Sequence, residues 1–224
     1  MRIGIIFALK EELDEFKKNV EITNEYDIYE LKIYECIINN KTCIFVESGI
    51  GKVNVARTTQ ILIDKMNLNY IFNIGVAGGI SNSLKVEDIV IGTKLVQHDF
   101  DITSFNHKKG YIPNVGIFID SDEYLIKKAK ESLTEAKNGV IASGDIFISD
   151  SKMSEKINMK FNALCVEMEG AAVAQVCYLC HIPFLIIRAI SDVPNNNNAV
   201  TYEEFLESSS KKIAIGMKNI IMKL

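Results

Sequence analysis

Residues 165–192 open with Cys165-Val-Glu-Met-Glu-Gly-Ala-Ala172 and close with Arg188-Ala-Ile-Ser-Asp192. Between these ends Val173, Val176, Cys177 and Cys180 recur at the spacing of one helical face, which predicts a buried helix. His181 and Pro183 break that pattern, and Phe184-Leu-Ile-Ile187 has the length and composition of a core strand. The polar groups gather at the two ends: Glu167 and Glu169 at the first, Arg188, Ser191 and Asp192 at the second. Carboxylates two residues apart, and an Arg four residues from an Asp, are costly to bury unless they pair or bind something. Two explanations stand here: a buried ion-pair network closing a helix–strand corner, or a ligand site.

Outward from this unit, strands and helices alternate. Residues 2–7 read as a buried strand, and Leu9, Leu13 and Phe16 start a helix near Ala8. Glu11 and Glu12 fall in its first turn, where the helix dipole favours negative charge; that role alone suits Glu11. Residues 26–48 hold two or three antiparallel strands with turn chemistry at Asn39-Asn40. Ser48-Gly-Ile-Gly-Lys52 leads into a helix through Ala56, Thr59, Ile63 and Met66. Residues 70–79 are a strand running into a turn with three glycines, which implies backbone passing close to a bound molecule or a tight crossing of two elements. A strand over 86–97 precedes a polar and aromatic loop over 98–107. Ser121 is expected to cap a helix with Leu125, Ala129, Leu133 and Ala136 on one face. Val140-Ile-Ala is a short strand leading to Ser143-Gly-Asp-Ile-Phe-Ile148. Residues 195–198, four asparagines, read as a polar loop, and a final helix carries Phe205, Ile213, Met217 and Ile220. This alternation predicts one α/β domain over residues 1–224, with a largely parallel or mixed sheet.

Composition narrows the partners. A net charge of −4 without a basic cluster argues against nucleic acid and anionic membranes. No apolar run reaches the length of a membrane span, and the opening one is too short for a signal peptide, so a cytoplasmic protein is expected. Its five cysteines are then reduced, partly buried thiols. Cys177-Tyr-Leu-Cys180-His181 matches a c-type haem attachment pattern, but haem attachment requires export, and no second CxxC completes a zinc site. Both cysteines are expected to pack on the apolar face of the helix.

In α/β folds of this kind ligands lie at the C-terminal ends of strands. Six clusters each follow an expected strand: 8–12, 48–52, 75–79, 143–148, 167–169 and 188–192. Converging on one cleft, they supply several carboxylates and, Lys52 aside, a single cation, Arg188. Neighbouring carboxylates raise each other's pKa, so one stays protonated while another is ionised. That combination suits cleavage of a glycosidic bond, with a base for water and an acid for the leaving group.

Glu167-Met-Glu169, Arg188-Ala-Ile-Ser-Asp192, Ser143-Gly-Asp-Ile-Phe147, Ser48-Gly-Ile-Gly-Lys-Val53 and the opening Ile3-Gly-Ile-Ile-Phe-Ala-Leu-Lys-Glu-Glu12 carry a resemblance running from residue 3 to about residue 206. Together they resemble the 5′-methylthioadenosine/S-adenosylhomocysteine nucleosidases of the purine nucleoside phosphorylase superfamily. The resemblance implies a three-layer α/β/α fold with a central mixed β-sheet. It implies hydrolysis of the N-glycosidic bond of these two nucleosides, with 5′-deoxyadenosine as a further candidate, releasing adenine and using neither cofactor nor metal. Glu12 would be the base that activates water, held together with Arg188 and Glu169. Met168 and Glu169 would lie against the ribose, with Glu167, Val76, Ala77 and Gly78 among the substrate contacts. Asp192, helped by Ser191, would protonate the imidazole-side nitrogen of adenine. Phe147 would stack on the purine and the Ile148 backbone would read its edge. Leu9 and Ile50 would line the pocket for the 5′ substituent under Tyr202. Ile102, Phe105 and Pro113 would complete the site of a neighbouring subunit in a homodimer.

Two positions depart from the family pattern. Val76 stands where many relatives carry Ser, and Tyr202 where Phe is common. A phosphorylase of the same fold is the nearest rival, but phosphate needs cations, and the chain has only Arg2, Arg57 and Arg188. A futalosine hydrolase, acting on a 6-oxopurine, is a second rival, and a binding module without turnover a third. A metal held by Glu167, Glu169 and Asp192 is opposed by the charge of Arg188 beside them.

Overall fold

The structure, a computed structural model, describes residues 1–193 and 198–224, with side chains absent from the description for 198–201. Apart from the backbone of Asn198, the asparagine run at 195–198 therefore lies outside the described residues.

The first strand, β1 (Arg2–Phe7), is buried along almost its whole length and pairs in parallel with β4 (Lys41–Glu47) and β5 (Tyr70–Gly79). Helix α1 (Lys10–Lys17) starts two residues later than Leu9, Leu13 and Phe16 suggest, because Leu9 is extended and occupies the N-cap position. Strands β2 (Ile22–Ile28), β3 (Leu31–Ile38) and β4 form the expected antiparallel meander. Asn39 and Asn40 both have positive φ, as a two-residue hairpin turn requires. Helix α2 (Lys52–Met66) then leads to β5, and β6 (Ile89–Gln97) begins three residues later than expected. The two-residue strand β7 (Ile119–Asp120) precedes α3 (Glu123–Ser132). Ser121 is not the cap of α3: Asp122 is, its carboxylate accepting from the Leu125 amide. The helix stops at Ser132, so Leu133 and Ala136 lie beyond it.

Strand β8 (Lys137–Ser143) is longer than its apolar core suggests, and α4 (Ser151–Phe161) has no counterpart in the periodicity argument. Its signal was Asp150, which caps the amides of Lys152 and Met153. After β9 (Ala163–Glu167) come α5 (Gly170–Leu179) and β10 (Phe184–Asp192), the expected helix and strand. Cys177 is fully buried on α5, whereas Cys180 lies just past its end with the thiol directed at Gln60, so packing accounts for the first cysteine only. Helix α6 (Asn198–Lys223) closes the chain.

All nine residues of β10 are buried, as in a strand covered on both faces. Phe184, Ile186 and Ile190 face a core shared with α2 and α5, through Val55, Leu62, Ala171 and Cys177. Leu185, Ile187 and Ala189 face the opposite core, with Phe16 of α1, Leu125 of α3 and Ile213 and Met217 of α6. Three layers, α/β/α, result around a mixed sheet. Burying each large aliphatic or aromatic side chain contributes roughly 1.5–3 kcal/mol. That is the setting in which the strand tolerates Arg188, whose guanidinium must be fully paired at such a depth.

The sheet does not stay open. Strand β10 pairs in parallel with β5 on one side and antiparallel with β6 on the other. Strands β6, β8 and β9 follow in parallel, and β9 returns to β5 antiparallel at Gly78 and Gly79. Five strands thus form a ring. The ends of β6, β8 and β9 lie side by side, Gln97 opposite Ser143 and Ser143 opposite Glu167, and meet the end of β5. The six clusters therefore do not converge along one edge of an open sheet. Closure brings together the ends of strands that run in opposite directions.

Candidate active site

Where the ends of β5, β9 and β10 meet α1, the β4–α2 turn and α6 lies a cavity of about 360 Å³, within the range of small-molecule sites. Every one of the six clusters contributes to its wall. Leu9 and Glu12 come from the start of α1, Ile50 from the β4–α2 turn, and Val76, Ala77 and Gly78 from β5. Phe147 comes from the β8–α4 loop, Glu167, Met168 and Glu169 from the β9–α5 junction, and Ser191 and Asp192 from the end of β10. Tyr202 of α6 completes the wall, its ring edge-on to Phe147 with centroids 5.9 Å apart. A recess beside Asp192 and Met168 reaches the buried Ile148.

Glu12 is buried while Glu11 is exposed. From the first turn of α1 its carboxylate reaches back over the helix start, as the acid of a capping box does. Oε2 accepts from the amides of Ala8 at 3.1 Å and Leu9 at 3.0 Å, and Oε1 from the amide of Val76 at 2.9 Å. The last contact depends on Gly75. A Cβ at that position would stand 2.5 Å from Glu12 Oε1, and one at Gly78 3.3 Å from Asp192 Oδ2. These glycines of β5 make room for the protein's own carboxylates, a tight crossing of elements. Gly75→Ala is therefore expected to fold, since its φ is not positive, but to displace the Glu12 carboxylate and lower turnover by at least about tenfold. Steady-state kinetics with a thermal melt check this.

The polar groups at the other end sort into two kinds. Glu167, Arg188, Asn73 and Ser143 form a buried network. Arg188 pairs with Glu167 through Nε and Nη2, and donates to the side chain and carbonyl of Asn73 and to the Ile187 carbonyl. Asn73 in turn donates to the Ile6 carbonyl at 3.0 Å. Glu167 also accepts from the Ser143 hydroxyl and from the amides of Glu169 and Gly170 at the N-terminus of α5. This corrects two expectations. Arg188 does not line the cavity, and Glu12 is held by backbone amides rather than by direct bonds to Arg188 and Glu169. Glu167 borders the cavity, but both of its oxygens are engaged by protein groups.

The second kind faces the cavity. Glu169 Oε1 accepts from the Gly51 amide at 2.7 Å. The Ser191 hydroxyl donates to Asp192 Oδ1 at 2.9 Å. Burial pushes the Glu12 carboxyl above its ordinary range, opposed by the field of Arg188 and by the three amides. Burial, then the neighbouring Glu167 charge, raise Glu169 to about 7, so near neutrality it exists in both protonation states. Burial, then the charge of Glu12, push the Tyr202 phenol up to about 12. For Arg188, burial alone would lower the pKa, but Glu167, Glu169 and Glu12 more than restore it.

The 165–192 unit thus contains a buried ion-pair network and, in front of it, carboxylates that face the cavity. Asn73 was missed, although a lone Asn in the apolar run of residues 70–74 was its signal. The Gly51 amide left no signal. Ile102, Phe105 and Pro113 lie outside the cavity, with Phe105 76% exposed. No Lys or Arg is among the described residues lining the cavity, and residues 194–201 contain none. Lys52 pairs with Asp99, Arg57 with Glu30 and Arg2 with Glu35. Among the described residues no three His, Cys, Asp or Glu side chains are grouped so as to hold a metal ion. Nor is any helix there long and apolar enough to cross a membrane.

A family model described as "Phosphorylase superfamily" matches residues 2–221. The chain is 37% identical over 230 residues to a 5′-methylthioadenosine/S-adenosylhomocysteine nucleosidase of Geobacillus sp. (strain WCH70), covering 100% of this chain and 99% of the relative. Among solved structures it is similar to the Helicobacter pylori 5′-methylthioadenosine/S-adenosylhomocysteine nucleosidase with butyl-thio-DADMe-Immucillin-A, at a TM-score of 0.96 and 35% identity over 100% and 99% of the two chains. The native futalosine hydrolase of Helicobacter pylori strain 26695 is similar at a TM-score of 0.96 and 35% identity, over 100% and 98% of the chains.

Proposed function

The chain belongs to the phosphorylase superfamily, and from that premise we infer that it is a hydrolase of adenine nucleosides. It cleaves the N-glycosidic bond of 5′-methylthioadenosine and S-adenosylhomocysteine to release adenine and the 5-substituted ribose. One observation carries the choice of water over phosphate: the described residues of the cavity wall present the carboxylates of Glu12, Glu169 and Asp192 and no cation. A phosphate dianion needs charged donors such as Arg, and every Arg here is already paired elsewhere.

In this reading Glu12 takes the proton from a water molecule aimed at the anomeric carbon. The Val76 amide fixes the orientation of the carboxylate, and because the Val76 side chain cannot hydrogen-bond the water as Ser would, the water relies on backbone groups and Glu12. As adenine leaves, positive charge develops on the sugar, and the ionised carboxylates beside it lower the barrier. Glu169 and Met168 hold the ribose, with Glu169 accepting from its hydroxyls. Asp192, oriented by Ser191, protonates the ring nitrogen on the imidazole side and turns adenine into a neutral leaving group. Phe147 stacks on the purine, the Ile148 backbone reads its edge, and Leu9, Ile50 and Tyr202 enclose the 5′ group.

Incubation with 5′-methylthioadenosine in phosphate-free buffer tests the assignment. The expected products are adenine and free methylthioribose, at a rate that added phosphate does not change. A methylthioribose phosphate, or dependence on phosphate, would replace hydrolysis by phosphorolysis. A 6-oxopurine nucleoside in the same panel separates the futalosine hydrolase reading, which predicts the reverse preference.

The same reading includes a cytoplasmic homodimer in which Ile102, Phe105 and Pro113 reach a neighbour's 5′ pocket. Its support is the exposure of Phe105 together with the place of all three residues outside their own chain's cavity. Sedimentation of the chain as a dimer, lost together with activity in Phe105→Asp, is the expected result. A fully active monomer would remove this part.

A further inference from the structure

Behind the cavity, one ammonium group ties two segments that carry its walls, the β4–α2 turn and the β8–α4 loop, to the end of β6. Lys52, the first residue of α2, places Nζ 2.7 Å from Asp99 Oδ1, 3.1 Å from Gln97 Oε1 and 3.9 Å from Asp145 Oδ2. Its amide donates to Asp145 Oδ1 at 2.8 Å, and the Asp145 amide donates to Asp99 Oδ2 at 3.0 Å. Asp99 follows β6 and Asp145 follows β8. The residue before Lys52, Gly51, gives its amide to Glu169.

This cluster is sheltered: the side chains of Lys52 and Asp99 are each 18% exposed. Burial alone would raise the Asp99 pKa, but the Lys52 ammonium and the Asp145 amide hold it below the ordinary carboxylate range. Packing points the same way. A Cβ at Gly144 would run into the His98 imidazole, so the start of the loop, residues 143–145, lies close against residues 97–99. Phe147 is two residues beyond Asp145. Without the ammonium, Asp99 and Asp145 keep their backbone donors, the amides of Asp145 and Lys52, but lose the cation they share.

We propose that Lys52 is a positioning residue for nucleobase binding: it holds the 143–148 loop against the ends of β6 and α2, and so fixes the surface on which the purine stacks. The inference rests on the nucleosidase reading and adds a residue that touches neither the substrate nor the reacting atoms. Lys52 acts through Asp145 and Asp99.

Lys52→Met, Asp145→Ala and their double variant, with Arg57→Met as a control elsewhere on α2, test this with 5′-methylthioadenosine as substrate and adenine as inhibitor. Lys52→Met is expected to raise KM and the adenine inhibition constant together by about tenfold or more, with a smaller change in kcat. Asp145→Ala gives the same signature, the double variant is no worse than either single one, and Lys52→Arg recovers most of the loss. Asp145 is half-exposed, so its variant supplies the readout if Lys52→Met is poorly folded. Unchanged KM and adenine affinity in either folded single variant, or effects that multiply in the double variant, would overturn the proposal. Failure of the wild-type chain to release or bind adenine would instead sink the nucleosidase reading beneath it.

Discussion

Glu12→Gln is expected to abolish nearly all turnover, by about 100- to 10,000-fold in kcat, while the protein still folds and binds the nucleoside. The loss follows because the amide cannot accept a proton from water at any pH. Two opposed effects act on stability. Three backbone donors face the two carboxylate oxygens, and Gln offers only one acceptor, so one amide meets an NH₂ group at a cost of roughly 1–3 kcal/mol. Against this, the folded-state pKa of Glu12 is raised above 4.5. The unfolded chain therefore releases the proton more readily, and the wild type loses stability as pH rises from 4.5 through the folded value. Gln is spared that loss, so the gap in melting temperature narrows as pH rises to neutrality and widens in favour of the wild type in acid. Wild-type kcat should fall in acid with a midpoint above the ordinary carboxylate value, and the residual rate of Glu12→Gln should lack that limb. A variant with near-normal turnover would remove Glu12 from the reaction.

Asp192→Asn is expected to be comparably severe with adenine nucleosides and mild with a substrate whose leaving group needs no proton. The Ser191 hydroxyl can still donate to the Asn oxygen, so the local geometry survives. What disappears is the transferable proton, again worth about 100- to 10,000-fold. A p-nitrophenyl riboside, which departs as a stable anion, isolates this step. Asp192→Asn should hydrolyse it at close to the wild-type rate, whereas Glu12→Gln should fail on both substrates. Equal losses on both substrates in Asp192→Asn would mean that Asp192 orients the sugar or the water and does not supply the proton.

Much of this site is legible in the residues themselves. Glu169 and Asp192 stand out because carboxylates beside apolar strand and helix patterns are costly without a purpose, whereas Glu12, an ordinary first-turn acid by pattern, is set apart from Glu11 only by the family resemblance. Gly75 and Gly78 stand out as density of glycine, but their purpose does not. A run of glycines looks the same whether a ligand or the protein's own side chain comes close, and only the position of the Glu12 carboxylate distinguishes the two. Arg188 was recognisable as a cation among acids. Its choice of Glu167 over Glu12 and Glu169 was not, because three acids competed for one guanidinium and spacing does not rank them. The signal of helix α4 was there and went unread: Asp150 is its cap, and Met153, Ile157 and Phe161 recur at i, i+4 and i+8 on the face that packs inward.

The sequence by itself determined the alternation of strands and helices, the two-faced burial of β10 and the acids and bases available for chemistry. All of these follow from periodicities of two and 3.6 residues and from the cost of burying charge, which are local properties. Tertiary structure alone decided that β9 returns to β5 and closes the ring, and that Val76, 64 residues away, holds Glu12 while Gly51, 118 residues away, holds Glu169. Those contacts depend on strand register and on which elements share a wall, and a chain pattern that repeats every few residues carries no record of either.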